Sequence, residues 1–87
     1  SMDTDRALLN RMKRIEGQVR GIEKMIEKNE YCGDILTQIS AVRSALNKVG
    51  GIIIENYAKN CIIEKLNNID SEDALDELLE IILKYNK

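Results

Sequence analysis

Histidine, proline, tryptophan and phenylalanine are all absent from the 87 residues, and three tyrosines are the only aromatic side chains. Without histidine the chain lacks the usual general base near neutral pH and the usual nitrogen ligand for a transition metal. There is also no Gly-rich phosphate loop and no pair of acids set apart from a charged helix face, so an enzyme is not expected. No apolar run is long enough to cross a bilayer and no charged-then-apolar leader opens the chain. A cytosolic location without a membrane partner is therefore expected. Ser1, ahead of Met2, is set aside as a remnant of tag removal.

What is present is 44% hydrophobic, carried by Ile, Leu, Val, Met and Ala, a palette suited to helices packed on helices. A single domain of residues 1–87 is expected, with no linker or repeat inside it. A domain of this size buries too little of its own surface to be comfortably stable alone, so oligomerisation is expected. The net charge of −2 is unevenly spread. Residues 1–28 carry seven Lys/Arg against five acids, a balance of +2, and residues 62–87 carry three Lys against seven acids, a balance of −4. The chain has a basic front and an acidic back.

Apolar residues at Leu8, Met12, Ile15, Val19, Ile22 and Ile26 alternate steps of four and three, a heptad seam on one face of a helix predicted over residues 5–28. Asn29, Glu30 and Gly33 break it, and Asp34 is the expected N-cap of a second helix. Ile35, Ile39, Val42, Leu46, Val49 and Ile53 repeat the rhythm, which predicts helix from 34 to about 65. Gly50 and Gly51 fall inside it, where a kink or a close helix contact is expected. Asn67 and Asn68 end it, Asp70 or Ser71 caps a third helix, and Ala74, Leu75, Leu78, Leu79 and Ile82 carry that helix to about residue 85. The fold class is all-α with three helices.

Cys32 and Cys61 are the only cysteines. In a reducing compartment they are expected to be reactive or ligating and not a permanent disulfide. They are 29 positions apart, which on a continuous helix is ~43 Å along the axis. They cannot meet within one subunit. The same 29 steps amount to eight turns plus roughly 20°, so both thiols leave the second helix on nearly the same side. Two copies of that helix packed antiparallel, crossing near Leu46 and Asn47, would set Cys32 of one against Cys61 of the other and give each dimer two equivalent sites. At the start of the helix, unpaired amides favour negative charge on Cys32. The bland alternative is that both cysteines are small apolar fillers.

Longer stretches are more specific. Arg14-Ile15-Glu16-Gly17-Gln18-Val19-Arg20-Gly21-Ile22, then Tyr31-Cys32, Asp34-Ile35-Leu36-Thr37-Gln38-Ile39-Ser40-Ala41 and finally Cys61 resemble the CsoR/RcnR family of bacterial metal- and stress-sensing repressors, over essentially the whole chain. The resemblance implies a three-helix subunit, an antiparallel dimer, a dimer-of-dimers homotetramer and operator DNA as partner. Copper sensors of the family hold Cu(I) with a Cys at the start of the second helix and a His-x-x-x-Cys near its end. Here the cysteines match but Tyr57 stands at the histidine position. Formaldehyde sensors commonly carry Pro after the first Met, where this chain has Asp3. What remains is similar to the persulfide-sensing, CstR-like branch, as is Gly51-Ile52-Ile53-Ile54-Glu55-Asn56. That likeness implies a repressor released from its operator when persulfides or polysulfides bridge Cys32 and Cys61 of neighbouring subunits. It implies no metal and no cofactor. The alternative of the same family is a Cu(I)-responsive repressor with the two cysteines as ligands. The alternative of another class is a helical interaction module with inert cysteines. Tyr31 and Glu77 match positions that hydrogen-bond toward the copper sensors' histidine. Tyr31 and Tyr57 are equally well read as packing residues.

Arg11, Arg14 and Gln18 flank one side of the first helix's seam, and Lys13, Arg20 and Lys24 the other; Arg43 and Lys48 add charge from the second. A solvated face laced with pairs such as Glu16 and Arg20 is the ordinary reading of such a pattern. The family resemblance turns Arg11, Lys13, Arg14, Arg20, Arg43 and Lys48 into expected DNA contacts, mostly to phosphates and to DNA shape. Gly17 and Gly21, four apart, expose backbone on one strip that permits close helix packing, the preferred expectation, or close approach of a phosphate.

Overall fold

Three α-helices and no strand make up the computed structural model, which describes residues 2–66 and 71–86. α1 spans Met2–Glu27, α2 Cys32–Leu66 and α3 Ser71–Tyr85. The expected all-α, three-helix subunit is what forms. α1 starts three residues earlier than the apolar pattern suggested, because polar residues can extend a helix beyond its packed stripe. The expected breaks at Asn67 and Asn68 and the cap at Asp70 lie outside the described residues. Ser71 is itself the first residue of α3.

The turn between α1 and α2 is closed by backbone geometry. Asn29 has φ 56°, the left-handed region that Asn tolerates better than other non-glycine residues. Its amide donates to the Ile26 carbonyl at 3.1 Å, and the Glu30 amide donates to the Met25 carbonyl at 3.0 Å. Those two bonds are the Schellman pattern of a helix C-terminus. The chain then enters α2 with Tyr31 as the capping residue: its carbonyl accepts from the amides of Asp34 at 3.0 Å and Ile35 at 3.2 Å. Asp34, the expected N-cap, sits instead in the first turn, where its charge complements the helix dipole. The helix begins two residues sooner because Gly33 does not break it.

Contacts gather into two compact units, Ser1–Val49 and Gly50–Lys87, and the division falls inside α2 and not in a linker. In the first unit Ile15, Val42 and Val49 are buried, with Leu8, Met12, Ile22 and Ala45 packed against them. Only half of each heptad seam is used. Ile35, Val42 and Val49, spaced by seven, turn inward, while Ile39, Leu46 and Ile53, also spaced by seven, are 36%, 43% and 53% exposed. On α1 the same division leaves Val19 and Ile26 open. In the second unit, residues 50–66 of α2 pair with α3. Ala74, Leu78, Ile81 and Ile82 are half-buried, and Leu75, Leu79 and Leu83 face outward.

Gly50 has the close contact expected of the glycine pair: a Cβ there would fall onto the Tyr85 ring, 2.8 Å from Cε1. Gly51, Gly17 and Gly21 have open space at that position within the chain. The expected packing role of Gly17 and Gly21 is therefore not fulfilled inside one subunit.

Replacing Asn29 by Ala is expected to lower stability by about 1 kcal/mol through left-handed strain, whereas Asn29→Gly keeps or raises it. Urea-unfolding midpoints of the three proteins check this, and three equal midpoints would show that the turn carries no such strain.

Candidate functional site

Cys32 is the first residue of α2 and is exposed, while Cys61, five positions before the helix ends, is buried. The asymmetry has a local cause. At position 32 nothing of the first unit covers the helix start, and the neighbouring Tyr31 is 72% exposed, its ring lying over Gly33. At position 61 the second unit supplies α3: the Cys61 thiol donates to the Ala74 carbonyl at 3.6 Å, and the residue is 4% exposed. Tyr57, one turn before Cys61, is half-buried, and Glu77 of α3 is exposed. Among the described residues no group of three or more His, Cys, Asp or Glu comes together. The two thiols each belong to a different compact unit.

The basic residues divide by location. Arg11, which is half-buried, and Arg14, which is exposed, line an open cleft with Gln18, over buried Ile15 and over Ala45 of α2. This is the side of α1 that the helical pattern had grouped. Arg43 lines a second, polar cleft with Ser40, Ser44 and Asn47, all on α2. No role in binding was expected of the serines or Asn47, although their spacing of four and three is a polar helical stripe visible in the sequence. Lys13, Arg20 and Lys48 are exposed and line neither cleft. Among the described residues the Glu16–Arg20 pair, which belonged to the ordinary reading of a solvated face, does not form. Ion pairs occur instead on α2 and α3, Lys59 to Glu55 at 3.4 Å and Lys84 to Glu80 at 3.2 Å. Among the described residues no cation of α1 forms an ion pair.

The subunit is all-helical, with two thiols on α2 and arginines lining two open clefts. Comparison with known proteins gives it a family. The sequence pattern of the metal-sensitive transcriptional repressors matches residues 4–84, and the chain belongs to this family. It is 46% identical over 80 residues to the copper-sensing transcriptional repressor CsoR of Bacillus subtilis, covering 92% of this chain and 79% of that protein. Its fold is similar to the crystal structure of the copper-sensing repressor CsoR with Cu(I) from Geobacillus thermodenitrificans, with a TM-score of 0.89, 41% identity, and 100% and 91% of the two chains covered. The nickel-responsive transcriptional regulator InrS follows at a TM-score of 0.86 and 35% identity, with 92% and 90% covered.

The protein is therefore a transcriptional repressor and not an enzyme, and the interaction module with inert cysteines gives way to that reading. These relatives are named for metals. The persulfide-sensing branch that the missing histidine suggested finds no counterpart among them. No helix of the described residues is long and apolar enough to cross a membrane.

Arg14→Ala is expected to weaken operator binding and to lower the slope of log affinity against log salt by about one. Fluorescence anisotropy titrations at several salt concentrations read both. A slope identical to that of the unaltered protein would place Arg14 away from phosphate.

Proposed function

We propose that the whole chain acts as one sensing and DNA-binding domain. It assembles as an antiparallel dimer and then a homotetramer, and leaves its operator when Cu(I) is held between Cys32 of one subunit and Cys61 of another. The observation that carries the sharing is that both thiols belong to one helix, α2, some eight turns apart. A single ligand bridges such a separation only across subunits. The open stripe of Ile39, Leu46 and Ile53 on α2 supports the assembly, because its midpoint, Leu46, is where two antiparallel copies of α2 would cross. Arg11, Lys13, Arg14, Arg20, Arg43 and Lys48 are the proposed DNA contacts, and the cytoplasm, where bacterial operators lie, is the proposed location.

Copper is favoured as inducer by the copper-sensing relatives. The chemistry of the donors agrees: thiolates suit soft Cu(I), and two of them suffice for a linear site. Tyr31, Tyr57 and Glu77 would border that site, with Tyr57 offering a phenol where copper sensors of the family carry an imidazole.

One observation favours a second reading. The chain has no histidine, and among the described residues no third ligand of the usual kind joins the sulfurs. Sulfur chemistry needs no such ligand. The Cys32 thiolate attacks a sulfane sulfur of a polysulfide and displaces a shorter sulfide chain. Where the transferred chain leaves Cys32 as a hydrotrisulfide (Sγ–S–SH), the Cys61 thiolate of the neighbour attacks its middle sulfur, hydrosulfide leaves, and an interprotomer trisulfide carrying one added sulfur closes. Exposure of Cys32 suits it to the first attack.

Intact mass without reductant, with operator binding measured in parallel, separates the two. Under the copper reading, Cu(I) releases DNA and stays bound at one ion per site in a native mass spectrum. Cys32→Ser and Cys61→Ser each abolish both effects, and polysulfide leaves the protein on DNA. A covalent dimer carrying added sulfur, DNA release by polysulfide, and continued DNA binding under Cu(I) would transfer the assignment to the persulfide reading. DNA binding by both serine variants that responds to inducer as the unaltered protein does would overturn the two together.

A further inference from the structure

Within the second unit, α2 and α3 are fastened at two places. Gly50 faces Tyr85, and Cys61 faces Ala74. Gly50 and Cys61 are eleven positions apart on α2, as are Ala74 and Tyr85 on α3. Eleven residues make about three helical turns, so both fastenings lie on one seam of an antiparallel helix pair, roughly 16 Å apart. The same register sets half-buried Ile54 opposite Ile81 and Tyr57 opposite Leu78. At one end of the seam, the backbone of α3 covers the Cys61 thiol. At the other, Tyr85, the last residue of α3, sits where any side chain larger than hydrogen at position 50 would collide with its hydroxyl and ring.

We propose that α3 is a lid over Cys61 and that Tyr85 seated on Gly50 is the catch that holds it. An inducer reaches the Cys61 sulfur only when the first turns of α3 lift from α2, so the response is gated by opening of this helix pair. The link to induction rests on the assignment of Cys61 as a sensing thiol. The gating itself does not. Exposed Cys32 has no such cover within the subunit, which orders the events: an inducer engages Cys32 first and Cys61 after the lid opens. Gly at position 50 leaves room for the ring, whereas Ala, the better helix former, would require the Tyr85 ring to swing aside from its seat.

The test is the alkylation rate of Cys61 by iodoacetamide in the full-length protein, followed by peptide mass. Gly50→Ala removes the seat, Tyr85→Ala removes the catch, and Gly51→Ala is the control, because a Cβ at position 51 meets nothing within 4 Å. Cys61 of the unaltered protein should react at least about tenfold more slowly than in the same protein unfolded in urea, as expected for a thiol reached only by local opening. Gly50→Ala or Tyr85→Ala should accelerate it several-fold with helix content by circular dichroism retained, and Gly51→Ala should leave the rate alone.

A native rate equal to the unfolded rate, or no acceleration in either Gly50→Ala or Tyr85→Ala, overturns the lid. The functional assignment fails on a different reading, a Cys61→Ser protein that still releases DNA under inducer. Failure of one is thereby distinguishable from failure of the other.

Discussion

Each long helix carries two apolar stripes, and one subunit has enough helix to cover only one of them. Val42 and Val49 of α2 close onto Ile15 of α1, and the remaining half of the heptad, Ile39, Leu46 and Ile53, stays open. Among the described residues no side chain is sealed completely, and the buried hydrophobics are Ile15, Val42, Val49 and Cys61. Burial of apolar surface is the dominant favourable term in folding, so a chain so arranged is driven to complete its core with another copy of itself. This constraint shapes the rest of the account. In the proposed antiparallel dimer the second stripe of α2 becomes the interface, and the two ends of the helix become neighbours across a two-fold axis.

The proposed sensing by sulfur rests on that assembly. The two cysteines differ sharply in environment: one opens α2 in an exposed position and the other is tucked beneath α3. An assembly that brings unlike thiols together can use the exposed one to capture and the covered one to commit. The identity of the captured species turns on ligand count. The copper-sensing relatives argue for Cu(I), and the absence of histidine argues that any metal is held by sulfur alone or that sulfur itself is the signal.

Much of this was legible in the residues. The seven-residue spacing of Leu8, Ile15 and Ile22, and of Ile35, Val42 and Val49, gave two long helices, and the stretch from Arg14 to Ile22 with Tyr31-Cys32 carried the family. Helix ends were less legible, because they are set by backbone hydrogen bonds and not by apolar pattern: Tyr31, not Asp34, caps α2, and Asn29 closes α1 with a positive φ. The division of each seam into a covered and an open half could not be read either, since both halves are equally apolar in sequence. The pairing of Gly50 with Tyr85 and of Cys61 with Ala74 is a long-range register that no local spacing encodes. Function was legible to the level of a family repressor. The inducer was not, because the residue that would decide it, a histidine at position 57, is a tyrosine.

Whether each sensing site is built from two subunits is decided by subunit mixing. Cys32→Ser and Cys61→Ser chains would be unfolded together in equal amounts, refolded, and compared with each variant refolded alone, scoring Cu(I) retention and sulfur-bridged dimer. In a shared-site dimer, one mixed partner supplies Cys61 and the other Cys32, so the mixture should regain roughly a quarter of the unaltered protein's sites while each variant alone has none. A mixture as empty as its two parents would contradict the shared site and place sensing within single subunits or away from these cysteines.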